Sequence, residues 1–179
     1  MFDYSQFINI VGKIINDLTK EGFKPILIGG MALVFLGSRR ITRDFDFIIS
    51  KESREQRRLI EVLYQSGLEL ASKVNDRGDI IQSISNKNVA FSRLQIDKPA
   101  SAYFLHPKTG LRIDFLFDFP EPIEAFDDNV QKIKVQSFVF DVASTDDLIK
   151  LKKKAAKNRK SMVDQQDIEF LKEIKNESL

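Results

Sequence analysis

The segment from residue 26 to residue 49 reads ILIGGMALVFLGSRRITRDFDFII, and it joins an apolar strand to a second strand that carries Asp44 and Asp46. Side chains two residues apart on a strand share a face, so the two carboxylates lie roughly 6.5 Å apart while Phe45 and Phe47 face the other side. Like charges at that spacing repel by about 2 to 3 kcal/mol at an effective dielectric constant near 20. An isolated Asp-x-Asp pair is also typical of an exposed strand face without a function. A divalent cation would convert the repulsion into binding, and the pair therefore predicts a metal site.

Gly29 and Gly30 stand between the first strand and a short apolar helix at residues 31–36. A Gly-Gly step lets the backbone approach a ligand and presents free N–H groups at a helix start, where phosphates bind; its alternative is an ordinary tight turn. It is neither a dinucleotide fingerprint nor a P-loop, because no Gly-x-Gly-x-x-Gly and no Gly-Lys-Ser/Thr occurs. The basic run from Arg39 to Arg43 suits a triphosphate as well as the acidic strand beside it. Together these features indicate a metal-nucleotide site.

This pattern resembles the signature of the nucleotidyltransferase superfamily, and within it the minimal group that includes the abortive-infection (AbiEii-like) toxins and the lincosamide nucleotidyltransferases. Its elements are Gly29-Gly30 and Asp44-x-Asp46, separated by thirteen residues, with Arg40 and Thr42 just before the acids. The resemblance implies an α+β nucleotidyltransferase fold, a mixed β-sheet flanked by helices. It also implies a catalytic domain at residues 1–142 and a C-terminal helical segment, residues 143–179, packed on it.

The family requires a third carboxylate on a later strand. Asp114 is the candidate, because the strand at residues 111–117 gives it apolar neighbours on both sides. Asp118 lies on the same strand face four residues later, but Pro120 follows closely and would end the strand. Asp118 therefore ranks second, as an exposed acid at a strand end.

The C-terminal region resembles the family in a helix with a lysine, residues 147–152, and in an acidic helix start, residues 164–168. Two departures from the family pattern occur. Gly30 stands where many members have a serine whose hydroxyl helps to hold the phosphates, so only backbone N–H groups remain for that task. The insertion between residues 152 and 164 is longer and more basic than the usual loop, which shifts the alignment of the last helix.

The resemblance implies transfer of a nucleoside monophosphate from a nucleoside triphosphate to an acceptor hydroxyl, with release of pyrophosphate. Two Mg²⁺ ions, or Mn²⁺ in their place, would lie roughly 3.5 to 4 Å apart, bridged by Asp44 and Asp46. Asp114 would complete the ion that activates the hydroxyl, and it would take the proton. The residues implied in holding the phosphates are Gly29, Gly30, Arg40, Thr42 and Lys152.

The helix after Ser144 carries two kinds of lysine. Lys152 falls on the apolar face with Leu148 and Ile149, where a lysine needs a partner. That partner is either the triphosphate or, in a structural role, one of the three candidate acids; a snorkelling stem is the third alternative. An outer basic stripe, more often only a solvated face, would guide an RNA backbone in a nucleic-acid-binding protein; it comprises Lys150, Lys153, Lys154 and Lys157 and is extended by Arg159 and Lys160.

Two acceptor classes are compatible with the sequence. The basic tail slightly favours an RNA end, as in toxin-like relatives, which would imply a cognate antitoxin protein. A small hydroxylated molecule, as in antibiotic-modifying relatives, is the alternative. A degenerate domain that binds nucleotide or a partner protein without turnover is a third hypothesis, and the presence of all three carboxylates argues against it.

Composition excludes several other classes. The chain has 179 residues, 42% apolar content, a formal net charge of +2 and no cysteine, which suits one core and removes disulfides, thiolate catalysis and cysteine zinc sites. Its single histidine, His106, precedes Pro107 between two apolar runs and predicts a hairpin loop. The longest near-apolar segment, residues 25–37, is too short and too glycine-broken to cross a membrane. We therefore expect a cytoplasmic protein.

Hydrophobic periodicity predicts helices at residues 4–20, 31–36, 50–66 and 163–175, and a helix that opens with the capping box Ser144-x-x-Asp147. The predicted strands are 26–29, 43–49, 79–84, 89–96, 101–105, 111–117, 132–135 and 138–142.

Overall fold

The computed structural model describes residues 4–158 and 161–177, which form an eight-stranded mixed sheet flanked by six α-helices. The helices are α1 (Tyr4–Lys20), α2 (Gly29–Phe35), α3 (Ser53–Gln65), α4 (Lys87–Asp97), α5 (Thr145–Asn158) and α6 (Met162–Glu177). The strands are β1 (Ile26–Ile28), β2 (Asp44–Ile49), β3 (Glu69–Val74), β4 (Ile80–Ile84), β5 (Ser101–His106), β6 (Leu111–Phe117), β7 (Gln131–Val135) and β8 (Phe138–Val142). The α+β class and the mixed sheet expected from the sequence are confirmed.

The two acidic strands are neighbours in the middle of the sheet, whose order is β4-β3-β5-β6-β2-β1-β8-β7. β2 runs parallel to β6 and antiparallel to β1, and β1 runs parallel to β8. β5 and β6 form an antiparallel hairpin whose loop begins after His106, as the sequence predicts. The strand that leads into Gly29 and Gly30 and the two acidic strands are therefore three adjacent strands, β1, β2 and β6.

The apolar residues of β2 and β6 fix which face the acids occupy. Phe45, Phe47 and Phe115 are fully buried, and the rings of Phe47 and Phe115 stack with their centroids 5.9 Å apart. Burial of each such side chain contributes about 1.5 to 3 kcal/mol. A register slip by one residue would exchange these rings for carboxylates in the core, so the packing holds the acids on the opposite face.

Helix α1 spans the predicted residues and buries the predicted apolar face. Its buried side chains include Phe7, Ile8, Val11, Ile14, Ile15 and Leu18. Helix α3 begins at Ser53 and not at Ser50, because Glu52 takes the position before the first turn; it ends at Gln65, just before Gly67, as expected.

The prediction of a strand at residues 89–96 is wrong, because this segment lies in helix α4. Asn86 caps the helix, since its side-chain oxygen accepts hydrogen bonds from the backbone N–H groups of Asn88 and Val89. Ala90 and Leu94, one helical turn apart, are the residues that it buries. An asparagine cap and an i, i+4 apolar pair outweigh the short apolar run that suggested a strand.

Strand β3 is absent from the prediction. Leu70 is its only fully buried residue, and the following residues 72–74 are exposed, so the segment lacks the alternation that identifies a half-buried strand. It pairs with β5 at two positions and with β4 along most of its length.

The C-terminal helices pack onto the body of the protein. The predicted helix start is confirmed, with Ser144 as its cap: the Ser144 hydroxyl accepts a hydrogen bond from the Asp147 backbone N–H at 3.1 Å and donates one to the Asp147 carboxylate at 2.7 Å. Leu148 and Ile149 of α5 and Leu171 of α6 belong to the hydrophobic core. The division of the chain at residue 142 stays a prediction. Among the described residues, no helix has the length and hydropathy needed to cross a membrane.

Candidate active site

The sheet brings the three predicted carboxylates together. Asp46 on β2 and Asp114 on β6 are register partners in adjacent parallel strands, and Asp44 is the register partner of Arg112. Adjacent strands lie about 4.8 Å apart, and all four side chains share the face opposite the phenylalanine core. The structure thus places Asp114, and not Asp118, beside the acidic pair.

Burial and mutual repulsion act on two of these acids. Burial, and next the charge of Asp44, raises the pKa of Asp46 to about 6. Burial, and next the charge of Asp46, raises the pKa of Asp114 to about 7. Both effects disfavour the ionised forms. When both are ionised, the two acids repel each other in a buried place, and a bound cation would relieve that repulsion.

Gly29 lies in contact with the acidic pair. Its backbone has φ +69°, and a Cβ added there would lie 2.1 Å from Oδ2 of Asp46. Both the backbone conformation and the missing side chain are therefore required at this position. The Gly29-Gly30 step and the Asp44-x-Asp46 strand are therefore in direct contact.

Gly30 explains the departure from the Gly-Ser pattern. A Cβ at Gly30 would lie 2.9 Å from Cζ of Arg40, so the guanidinium occupies the space that a serine side chain would need. The positive charge of Arg40 also lowers the pKa of Asp46. The Arg40 guanidinium thus stands beside the Gly30 backbone where the family pattern has a serine hydroxyl.

The cations on the other side of Asp46 form a network with helix α6. Lys152 Nζ lies 3.2 Å from Oδ1 of Asp164 and 2.7 Å from Oδ2 of Asp167, and Arg40 pairs with the same Asp167 carboxylate. Asp164 and Asp167 are only 2% and 4% exposed. The charge of Lys152 lowers the pKa of Asp46, so this lysine also faces the acidic site.

The structure corrects the ion-pair partners considered for Lys152. Its partners are the acids of α6 and none of the three candidate carboxylates. The sequence had singled out the acidic start of α6, but the contact between Arg40 and Asp167 spans 127 residues and leaves no periodic signal. Asp164 and Asp167 are spaced i, i+3 on the side of α6 that carries Leu171. This spacing was the one feature of the sequence that could have indicated buried acids as partners for Lys152.

The remaining candidates have separate positions. Thr42 lies half-buried in the loop just before β2. Asp118 has a structural role, since its carboxylate accepts hydrogen bonds from the backbone N–H groups of Lys51 and Ile123. His106 Nδ1 is 3.0 Å from the Thr109 hydroxyl within the β5–β6 loop.

Sequence reasoning missed three polar residues on the acidic face. Arg112 Nε lies 3.6 Å from Oδ1 of Asp44. A hydrogen bond from Ser101 lowers the pKa of Asp114. Tyr103 is the register partner of Asp114, and burial followed by the charge of Asp114 raises the pKa of its phenol. Alternation along β5 and β6 would have placed them on this face once the pairing of the two strands was known.

The outer lysines of α5 are partly neutralised. Lys150 pairs with Asp147 at 3.1 Å and Lys154 with Glu121 at 2.7 Å. Lys153 and Lys157 are exposed, whereas Arg159 and Lys160 lie outside the described residues. Exposed pairs of this kind contribute little stability, but they reduce the positive field of the stripe.

The donor set fits divalent metal ions of the Mg²⁺ class. Carboxylate oxygens are the ligands that Mg²⁺ and Mn²⁺ prefer, and Oδ1 of Asp114 is buried without a hydrogen-bond partner. Within residues 4–158 and 161–177, no three acidic or histidine side chains already converge as a metal-binding cluster. The unpartnered Oδ1 of Asp114 is the observation that fits a cation ligand.

The raised pKa of Asp114 predicts a pH-dependent stability difference. Its folded pKa of about 7 lies above the ordinary 3.8, so protonation stabilises the fold at low pH, and that stability is lost as the pH rises through 7. Metal-free Asp114→Asn should therefore gain stability relative to wild type between pH 5 and 7, by on the order of 2 kcal/mol. Urea denaturation in EDTA at several pH values measures this difference. A difference that is constant from pH 5 to pH 8 would contradict the assigned environment.

The buried network predicts that Lys152 serves both fold and ligand. Lys152→Ala should weaken nucleotide binding by about 10- to 100-fold whatever the acceptor, since a charge-assisted phosphate contact is lost. It should also lower the melting temperature, because two buried acids lose a cation. Lys152→Arg retains the charge and Lys150→Ala alters an exposed lysine; calorimetric titration with nucleotide compares all three. Wild-type affinity in a destabilised Lys152→Ala protein would leave Lys152 a structural role only.

Comparison with known proteins supports the fold. A scan against protein-family models and a search of curated protein sequences find no match. Among solved structures, TM1012 from Thermotoga maritima, assigned as a nucleotidyltransferase, superposes with a TM-score of 0.60 at 11% identity, over 98% of this chain and 96% of that one. The lincosamide antibiotic adenylyltransferase LnuA, with lincomycin bound, gives a TM-score of 0.57 at 15% identity, over 92% and 95%.

A third similar structure is the antibiotic-resistance factor ANT(2'')-Ia, with a TM-score of 0.59 at 14% identity, over 95% of this chain and 84% of that one. At such identities the likeness establishes the fold, and the chain has the nucleotidyltransferase fold.

Proposed function

We propose that this protein transfers a nucleoside monophosphate from a nucleoside triphosphate to an acceptor hydroxyl and releases pyrophosphate. One observation carries the proposal: Asp46 and Asp114 are register partners on adjacent parallel strands, with the Gly29 backbone directly against Asp46. Phosphates bound at this backbone would therefore lie next to Asp46, where a cation could be shared between phosphate and carboxylate oxygens.

Asp44, Asp46 and Asp114 would hold Mg²⁺, which neutralises phosphate charge as it develops. Gly29 and Gly30 supply backbone N–H groups at the start of α2 for the phosphates. Arg40 and Lys152, held in place by Asp164 and Asp167, present positive charge towards Asp46 and would bind the β and γ phosphates. Thr42 stays a proposed phosphate contact on the resemblance alone.

Asp114 has the environment of a proton acceptor for the hydroxyl. Its Oδ1 is buried without a hydrogen-bond partner, so this oxygen has a lone pair with which to accept the proton. In the transfer, the acceptor oxygen bonds to the α-phosphorus, the bond from that phosphorus to the bridging oxygen breaks, and pyrophosphate leaves with the electron pair. The hydroxyl proton passes to Asp114.

For the acceptor, we propose a small hydroxylated molecule. The pairing of Lys150 and Lys154 with acids weakens the basic stripe as an RNA contact. LnuA, which shares the fold, was solved with lincomycin bound. An RNA end, with a cognate antitoxin partner and a cytoplasmic location, is the second candidate, and the exposed Lys153 and Lys157 favour it.

The experiment is incubation of the purified protein with each α-labelled nucleoside triphosphate, Mg²⁺, and either total RNA or a panel of aminoglycosides and lincosamides. Label should move to one acceptor class, with equimolar pyrophosphate. Mg²⁺-dependent nucleotide binding without transfer to any acceptor would instead indicate the non-catalytic alternative.

The outer stripe provides a prediction that separates the two acceptor classes. Replacing Lys150, Lys153, Lys154 and Lys157 together by Gln should leave nucleotide affinity unchanged. If RNA is the acceptor, the salt dependence of RNA binding should flatten by about 0.7 to 0.9 log units per lost phosphate contact. Filter binding across a salt series measures the slope, and an unchanged slope would exclude the stripe as an RNA contact.

A further inference from the structure

Tyr103 is an aromatic side chain on the acidic face of the sheet, outside the core. It lies on β5 directly opposite Asp114 and is 36% exposed. Opposite residues on antiparallel strands have Cβ atoms about 5 Å apart, so the phenol ring borders the third carboxylate. An exposed ring at this place contributes little to the core and is available to a ligand.

Arg112 links the Tyr103 ring to a neighbouring turn through two contacts. Its guanidinium carbon lies 5.4 Å from the Tyr103 ring centroid, and its Nη1 donates a hydrogen bond of 2.8 Å to the carbonyl oxygen of Gly78. Gly78 belongs to the turn between β3 and β4, so that turn reaches the acidic face. Asn75 orders the turn, since its side-chain oxygen accepts hydrogen bonds from the backbone N–H groups of Arg77 and Asp79.

The strand order separates the residues around the carboxylates into a β1 side and a β5 side. Gly29, at the end of β1, and the cations Arg40 and Lys152 serve Asp46 from the β1 side. Tyr103 lies beyond Asp114 on the β5 side. A triphosphate held by the cations therefore leaves the β5 side, at the part of the Tyr103 ring that Arg112 does not cover, for the second substrate.

We propose that Tyr103 is the platform on which the acceptor stacks, and that the acceptor presents its hydroxyl on the edge of a sugar ring. This inference rests on the proposed function. A sugar ring exposes C–H groups on one face and hydroxyls at its rim, and the negative face of an aromatic ring attracts such C–H groups. A ring stacked on Tyr103 brings a rim hydroxyl to Asp114. The terminal ribose of an RNA and a free glycoside share this chemistry.

The test measures acceptor and nucleotide parameters separately in Tyr103→Ala, Tyr103→Leu and Tyr103→Phe. The acceptors are lincomycin, kanamycin and a short single-stranded RNA with a free 3′ end, and glycerol serves as an acyclic hydroxyl. The Ala and Leu variants should raise KM for the accepted sugar by about 3- to 10-fold. Tyr103→Phe keeps the ring and should stay close to wild type. The dissociation constant for α,β-methylene-ATP with Mg²⁺ should be unchanged in all three.

Several results would overturn the inference. They are an unchanged acceptor KM in both truncated variants, an equal loss of nucleotide affinity, or transfer by wild type to glycerol in preference to every sugar. Wild type that binds nucleotide but transfers to none of the four acceptors would also count against it. A wild-type protein that binds no nucleotide with Mg²⁺ would instead contradict the proposed function, so the two failures are distinguishable. The acceptor that responds to Tyr103→Ala identifies its source as RNA or a free glycoside.

Discussion

Asp46→Asn should abolish nucleotidyl transfer and Mg²⁺-dependent nucleotide binding, while the metal-free protein melts no lower than wild type. The variant removes a carboxylate whose pKa of about 6 reflects burial and repulsion by Asp44, so folding loses a penalty and not a support. Loss of charge stabilisation at the reacting phosphate should lower the rate by at least a factor on the order of 10² to 10³. Asp44→Asn should behave in the same way. Transfer assays and thermal melts in EDTA measure the two effects.

Asp141→Asn is the matched control, because Asp141 pairs with Lys132 across β7 and β8, and β1 separates these strands from Asp46 on β2. It should retain full transfer. Turnover in both Asp44→Asn and Asp46→Asn would remove the site assignment. A clear fall in metal-free stability would instead favour structural ion pairs for these acids.

Asp114→Asn should eliminate transfer but leave nucleotide binding largely intact. Asp114 lies on the β5 side of Asp46, away from Arg40 and Lys152, so it serves the acceptor more than the triphosphate. Asp118→Asn provides the comparison four residues later, just after the end of β6. It retains one acceptor oxygen for the Lys51 and Ile123 backbone groups, so it should cost about 1 kcal/mol of stability and little activity.

Parallel measurements of turnover and of nucleotide affinity by calorimetry decide this ranking. If Asp118→Asn is inactive and Asp114→Asn is active, the assigned register of β2 and β6 does not describe the working site. If Asp114→Asn loses nucleotide affinity as fully as Asp46→Asn, Asp114 is not an acceptor-side residue.

The central part of the fold was predictable because its signals are local. The alternation in Asp44-Phe45-Asp46-Phe47 fixes the faces of β2, and the apolar flanks of Asp114 fix those of β6. The glycine pair was expected at the nucleotide, and the structure adds the close approach of Gly29 to Asp46 as a physical reason for it.

What the sequence did not reveal depends on contacts between distant segments. The Arg40–Asp167 pair, the pairing of β2 with β6, and the reach of the β3–β4 turn to Arg112 follow from tertiary packing. Helix α4 was taken for a strand because Val89, Ala90 and Phe91 form a short apolar run, and the Asn86 cap and the buried Ala90–Leu94 pair override that pattern. A local periodic pattern reports only on residues close together in the sequence, so it cannot reveal such long-range contacts.

The most direct test of the metal-nucleotide site is calorimetric titration of the wild-type protein with α,β-methylene-ATP, in Mg²⁺ and in EDTA. Three carboxylates on one face should repel a triphosphate unless a cation is shared between them, so we expect binding in Mg²⁺ and none in EDTA. Asp46→Asn should bind in neither condition. Equal binding by wild type with and without Mg²⁺, or no binding in either, would contradict the assignment of Asp44, Asp46 and Asp114 as a metal-nucleotide site.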